Sequence, residues 1–110
     1  MNSKVLQKLI STIKKNKKLN PKISYTASLY RSGFKGCKKK FLEEVNELLS
    51  SFRKNKKNTI HEAADVFYHY LVLLETRNIT FTKVIKELKK RSKFSGIQEK
   101  KNRSFKKNTQ

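Results

Sequence analysis

Five of the eight acidic residues fall in two tight groups: Glu43, Glu44 and Glu47, written EEVNE, then Glu62 and Asp65, written EAAD. Residues three or four apart share a helix face, so Glu43 or Glu44 stands beside Glu47, and Glu62 beside Asp65. If the two helices pack antiparallel, the pairs meet across a bundle. Four converging carboxylates repel strongly unless a cation neutralises them, and hard oxygen ligands of this kind suit Mg²⁺ or Mn²⁺. Carboxylates on facing helices are also how bundle proteins build internal metal sites. Two ordinary explanations compete. Thr59 and Glu62 form a T-x-x-E capping box, and the first three glutamates could be solvated-face residues pairing with Lys39 or Lys40. Lysine is used so freely along the chain that grouped carboxylates are hard to explain as surface filling.

Other polar residues fall in register with these acids. Lys40 precedes Glu44 by four residues and Glu47 by seven, so it either reaches a bound phosphate or makes a surface ion pair. His69 follows Asp65 by four and Glu62 by seven, inside an otherwise apolar run. A buried imidazole needs a partner, which could be a carboxylate, a substrate or a neighbouring backbone group. Ser24 is placed to cap a helix. Cys37 is the only cysteine, outside any zinc-ligand spacing and without a disulfide partner, which fits a reducing cytoplasm.

The elements that must position these residues read as helices. Val5, Leu6, Leu9, Ile10 and Ile13 recur at helical spacing, and the segment closes at Pro21. A short helix follows Ser24, with Gly33 as its stop. A third runs from about Lys38 to Phe52, with Phe41, Val45, Leu48, Leu49 and Phe52 as its apolar stripe. A fourth covers about Thr59 to Thr76. Its stretch from Val66 to Leu74, VFYHYLVLL, is apolar almost all round, so it must be buried on every side. A buried strand is the competing reading for nine such residues, but the flanking EAAD favours helix. One neighbouring helix cannot cover that run in so small a chain; a shared bundle in a homodimer can. A last helix runs from after Thr80 to about Arg91. The expectation is an all-α bundle, one domain over residues 1–91 with a loose basic tail over 92–110.

The 110 residues carry 28 basic and 8 acidic side chains, a formal net charge of +20. That balance points toward a polyanion, but its placement weakens the point. Residues 1–40 hold twelve basic residues and no acid, whereas residues 41–88 hold seven of each. Lysine outnumbers arginine 23 to 5, although base readers favour arginine for its bidentate fork. A compositional drift toward lysine and asparagine explains the flanks better than a nucleic-acid interface. Specific nucleic-acid binding is therefore not expected, and neither is a membrane span or a signal peptide. With three glycines there is no GxGxxG and no P-loop.

At the level of whole motifs, the chain resembles a known family. EExxE followed by ExxD is similar to the pattern of the all-α MazG-like nucleoside-triphosphate pyrophosphatases. SYTASLY from Ser24, then Gly33, Lys40, EEVNE, EAADVFYHYLVLL, RNITFTKVIKELKKR and SGIQEK together resemble the phosphoribosyl-ATP pyrophosphohydrolase family, from about Val5 to Arg103. The resemblance implies Mg²⁺-dependent hydrolysis of phosphoribosyl-ATP at the α–β phosphoanhydride, the second step of histidine biosynthesis. It implies Glu44, Glu47, Glu62 and Asp65 as metal ligands, and Glu43 as a further ligand or the carboxylate that orients water. Lys40, His69, Ser24, Tyr25 and Thr26 become substrate-binding residues, and phosphoribosyl-AMP cyclohydrolase the functional neighbour. Leu42, Val45 and Gly36 stand where the family usually has Gly, Ala and a basic residue. A house-cleaning pyrophosphatase acting on other nucleotides would use the same acids, and a basic nucleic-acid-binding helical protein is the remaining alternative.

Overall fold

A computed structural model describes residues 3–92. Five helices account for them: α1 Ser3–Asn16, α2 Tyr25–Arg31, α3 Gly33–Ser51, α4 Lys56–Glu75 and α5 Phe81–Arg91. Among the described residues there is no strand, so the run VFYHYLVLL is helical, as its flanks imply. The chain divides into two compact units that part between Thr80 and Phe81. The first holds α1 to α4 and every acid of the two motifs. The second begins with α5, whose Glu87 and Arg91 pair at 3.5 Å along its surface. Beyond Ser92 the expected basic tail lies outside the described residues.

The first unit is built on a hairpin of α3 and α4. Three cross-pairs fix its sense: Ser51 meets Thr59, Glu47 meets Glu62, and Phe41 meets Tyr70. Residue numbers rise on one helix as they fall on the other, so the helices run antiparallel and the two acidic motifs face each other. Helices α1 and α2 pack on the hairpin. Ile13, Ala27, Leu29, Cys37, Leu71 and Val72 form the core.

Local chemistry explains where the elements start. Ser24 caps α2 as expected, its hydroxyl accepting from the Ala27 N–H at 3.1 Å. Gly33 is the stop after α2, at φ +72, a left-handed conformation that glycine reaches without strain. It is also the first residue of α3, which therefore begins five residues before Lys38. A Cβ at Gly36 would collide with the Ser32 side chain, so a basic residue there requires Ser32 to move.

The second difference concerns Thr59. The capping box read from Thr59 and Glu62 does not form, because α4 starts a turn earlier. Asn55 is the cap, accepting from the Asn58 N–H at 2.9 Å. Thr59 lies inside the helix and donates to the Ser51 carbonyl at 3.1 Å, tying α4 to the end of α3. Glu62 is thereby released from a capping role.

In the single chain, the apolar run of α4 is only partly covered. His69, Leu71 and Val72 are buried, and the other six residues from Val66 to Leu74 are half-buried. Leu42 and Leu49 on α3, Phe52 just past its end and Ile60 on α4 are exposed, at 50% to 70% of their surface. Leu42, Leu49 and Phe52 recur at spacings of seven and three, along one side of α3.

Candidate active site

The facing acids do converge. One carboxylate oxygen from each of Glu44, Glu47 and Glu62 lies within 4.8 Å of the others. Asp65 joins through Glu62, in a second group that also contains His61. Two helices therefore supply two acids each: Glu44 is buried, Glu62 and Asp65 are half-buried, and Glu47 is exposed at the edge of the group. Glu43 lies outside both groups and pairs with Lys40 at 3.4 Å on the surface.

Burial gives the cluster its character. Glu44 is only 8% exposed, and its Oε2 has no hydrogen-bond partner. The Oε2 of Glu62 is likewise buried and unpartnered. Burial first, and then the negative charge of Glu47, raise the Glu44 carboxyl above its ordinary value. Buried polar oxygens normally have partners, and an orphaned carboxylate oxygen costs about 1–3 kcal/mol or more. A hard divalent cation would satisfy both oxygens and cancel the repulsion at once. The donor set, four carboxylates and no thiolate, fits Mg²⁺ or Mn²⁺.

Beside the acids opens a polar cleft of about 420 Å³ between the end of α3 and the start of α4. Glu47 and Glu62 form part of its wall, with Asn46, Ser50, Lys54 and Asn58. Lys54 is the cation in that wall, and nothing in its spacing sets it apart from the other lysines of the turn.

His69 finds the partners its burial demands. Its Nδ1 lies 2.8 Å from the Asp65 backbone carbonyl, and its Nε2 lies 3.0 Å from the Tyr25 hydroxyl. A carbonyl only accepts, so Nδ1 carries the proton in the neutral ring. Nε2 then accepts, and Tyr25 donates. The imidazole thus links α2 to the backbone of the α4 turn that carries Glu62 and Asp65. Tyr25 was expected for its motif, but its bond to His69 had no sequence signal, because the two are 44 residues apart. Thr26 is buried and bonds to the Tyr68 hydroxyl. Ser24 completes its capping bond with a second, donating at 3.2 Å to the Asn16 carbonyl. Lys40 faces the same region, its charge favoured by Tyr25 first and Glu43 next.

The chain is similar to known proteins over most of its length. The family described as phosphoribosyl-ATP pyrophosphohydrolase matches residues 6–92. A phosphoribosyl-ATP pyrophosphatase of Rhodobacter capsulatus is 38% identical over 96 residues, covering 86% of this chain and 93% of its own. One from Cereibacter sphaeroides is 40% identical over 97 residues, covering 87% and 94%. A histidine biosynthesis bifunctional protein of Helicobacter hepaticus is 42% identical over 100 residues, which cover 90% of this chain and 43% of that protein.

Proposed function

The chain belongs to the phosphoribosyl-ATP pyrophosphohydrolase family, and on that premise we propose that it hydrolyses phosphoribosyl-ATP to phosphoribosyl-AMP and pyrophosphate with Mg²⁺. The observation that carries the Mg²⁺ requirement is the buried, unpartnered oxygen of Glu44 facing Glu47 and Glu62. Glu44, Glu47, Glu62 and Asp65 would hold the ion, which when bound neutralises the triphosphate and polarises the scissile phosphoanhydride. Little covalent help is needed in phosphoryl chemistry beyond positioning and electrostatics. Glu43, outside the grouped acids, orients the attacking water. Lys40 and Lys54 bring positive charge to the phosphates, Lys54 from the cleft wall. Tyr25, fixed by His69, and Thr26 take part in binding the substrate, while Ser24 holds the start of α2 in place.

Turnover of phosphoribosyl-ATP, measured beside a panel of deoxynucleoside triphosphates, tests this reading. Phosphoribosyl-ATP is expected to be the preferred substrate, and chelation of divalent ions is expected to abolish its hydrolysis. Faster turnover of a deoxynucleoside triphosphate would favour the house-cleaning alternative. The bifunctional name of the Helicobacter hepaticus relative supports phosphoribosyl-AMP cyclohydrolase as the functional neighbour. No helix among the described residues is long and apolar enough to cross a membrane. A free, buried Cys37 suits a reducing cytoplasm.

The working unit is a homodimer in this reading. The half-buried face of α4 and the exposed Leu42, Leu49, Phe52 and Ile60 supply an apolar surface that a second copy would cover. Sedimentation at micromolar concentration is expected to give a species of twice the chain mass. A compact, stable monomer would remove this part of the proposal.

A further inference from the structure

Histidine 61 is the one member of the acidic centre whose chemistry differs from the rest. It sits one residue before Glu62 and four before Asp65, at the open end of the carboxylate groups. Its Nε2 lies 3.4 Å from Asp65 Oδ2. One donor atom from each of His61, Glu62 and Asp65 falls within 4.8 Å of the other two. Glu62 is also a member of the all-oxygen group with Glu44 and Glu47. Two groups of candidate donors therefore adjoin each other and share Glu62, one of oxygen alone, the other of oxygen and an imidazole nitrogen.

We propose that His61, with Glu62 and Asp65, forms a second divalent-cation position that takes Mn²⁺ or another first-row transition ion in preference to Mg²⁺. It rests on the carboxylate centre proposed above, since Glu62 and Asp65 serve both. An ion–ligand distance near 2.1 Å puts neighbouring donors about 3.0–3.4 Å apart, which is the separation of the His61 nitrogen and the Asp65 oxygen. His61 makes no bond that it would have to break other than this contact with Asp65, and it is largely exposed, so its ring is free to turn onto an ion. The buried, unpartnered Oε2 of Glu62 supplies the unmet demand at the shared edge, and the equally unpartnered Oε2 of the buried Glu44 supplies it on the inner side. Mg²⁺ prefers oxygen and water around it, whereas imidazole suits the transition ions and binds them more tightly. A nitrogen at one position and none at the other sorts the two kinds of ion.

Mn²⁺ alone is the probe, followed by electron paramagnetic resonance on the full chain and on His61→Asn, a surface change that circular dichroism should show to be folded. Bound Mn²⁺ in the unaltered protein is expected to show hyperfine coupling to an imidazole ¹⁴N. In His61→Asn that coupling should vanish, and Mn²⁺ affinity should fall by at least the roughly tenfold that loss of an outer partner costs a metal site. Mg²⁺ binding, followed by calorimetry, should not change. Mn²⁺ bound without nitrogen coupling, or coupling that persists in His61→Asn, would overturn the role of His61 and leave the carboxylate centre standing. No Mn²⁺ bound by either protein would overturn both.

Discussion

Glu47→Gln is expected to lower phosphoribosyl-ATP hydrolysis by on the order of a hundredfold, the loss typical when one group stabilising transition-state charge is removed. The substitution keeps shape and removes one charge and one good metal oxygen from the group formed with Glu44 and Glu62. Raising Mg²⁺ should restore part of the activity, because the remaining carboxylates still bind, only more weakly. The fold should not suffer. In the metal-free protein Glu47 is a like charge beside the buried Glu44 and helps to raise its carboxyl above the usual value, after burial itself. Removing that charge relieves repulsion, so the metal-free melting temperature should hold or rise slightly. Glu87→Gln is the control. That acid lies on α5, outside both motifs, and pairs with an exposed Arg91 at 3.5 Å, a contact worth about 0.3–0.5 kcal/mol. Equal, small losses at Glu47 and Glu87 would mean that the acid cluster is surface decoration. The mechanism would then have no support beyond family membership.

The acidic centre was legible because its signal is local. EEVNE and EAAD each place carboxylates one helical turn apart, and a short polar turn between two helices makes them return side by side. The helix starts were less legible. Lys56, Lys57 and Asn58 form a solvated first turn with no apolar periodicity, so the pattern places the start of α4 at Thr59, where T-x-x-E imitates a cap that Asn55 in fact provides. Lysines and two glycines hid the first turn of α3 in the same way. His61 stands one residue before Glu62 and four before Asp65, so its place beside them is legible from spacing, whereas their approach to Glu44 and Glu47 needs the bundle. The Tyr25–His69 bond joins residues on different helices, and no spacing rule reaches across that distance.

Among the twelve basic residues of the first forty, one differs from the others in a way the sequence does not show. Lys17 looks like one more lysine in KKNKK, but its side chain is only 14% exposed and meets Glu75, 7% exposed, at 2.9 Å. Its ammonium also lies 4.9 Å from the centre of the Tyr30 ring, where a cation is attracted by the π face. Glu75 is the last residue of α4, and a cation near a helix C-terminus is favoured by the helix dipole. Lys17→Met is therefore expected to cost about 3–5 kcal/mol, because it strands a buried carboxylate without its partner. Glu75→Gln should cost less, since the longer lysine can extend toward water. Replacing both, Lys17→Met with Glu75→Leu, should recover most of the loss, as apolar replacement of a whole buried pair often does. Urea unfolding reads all three, through a shift in midpoint at constant slope. Glu75 lies ten residues beyond Asp65 on α4, about 15 Å along the helix, so turnover per folded molecule should be unchanged. A cost below about 1 kcal/mol for Lys17→Met is what an exposed ion pair would give, and it would show that α1 is not anchored to the end of α4 by this contact.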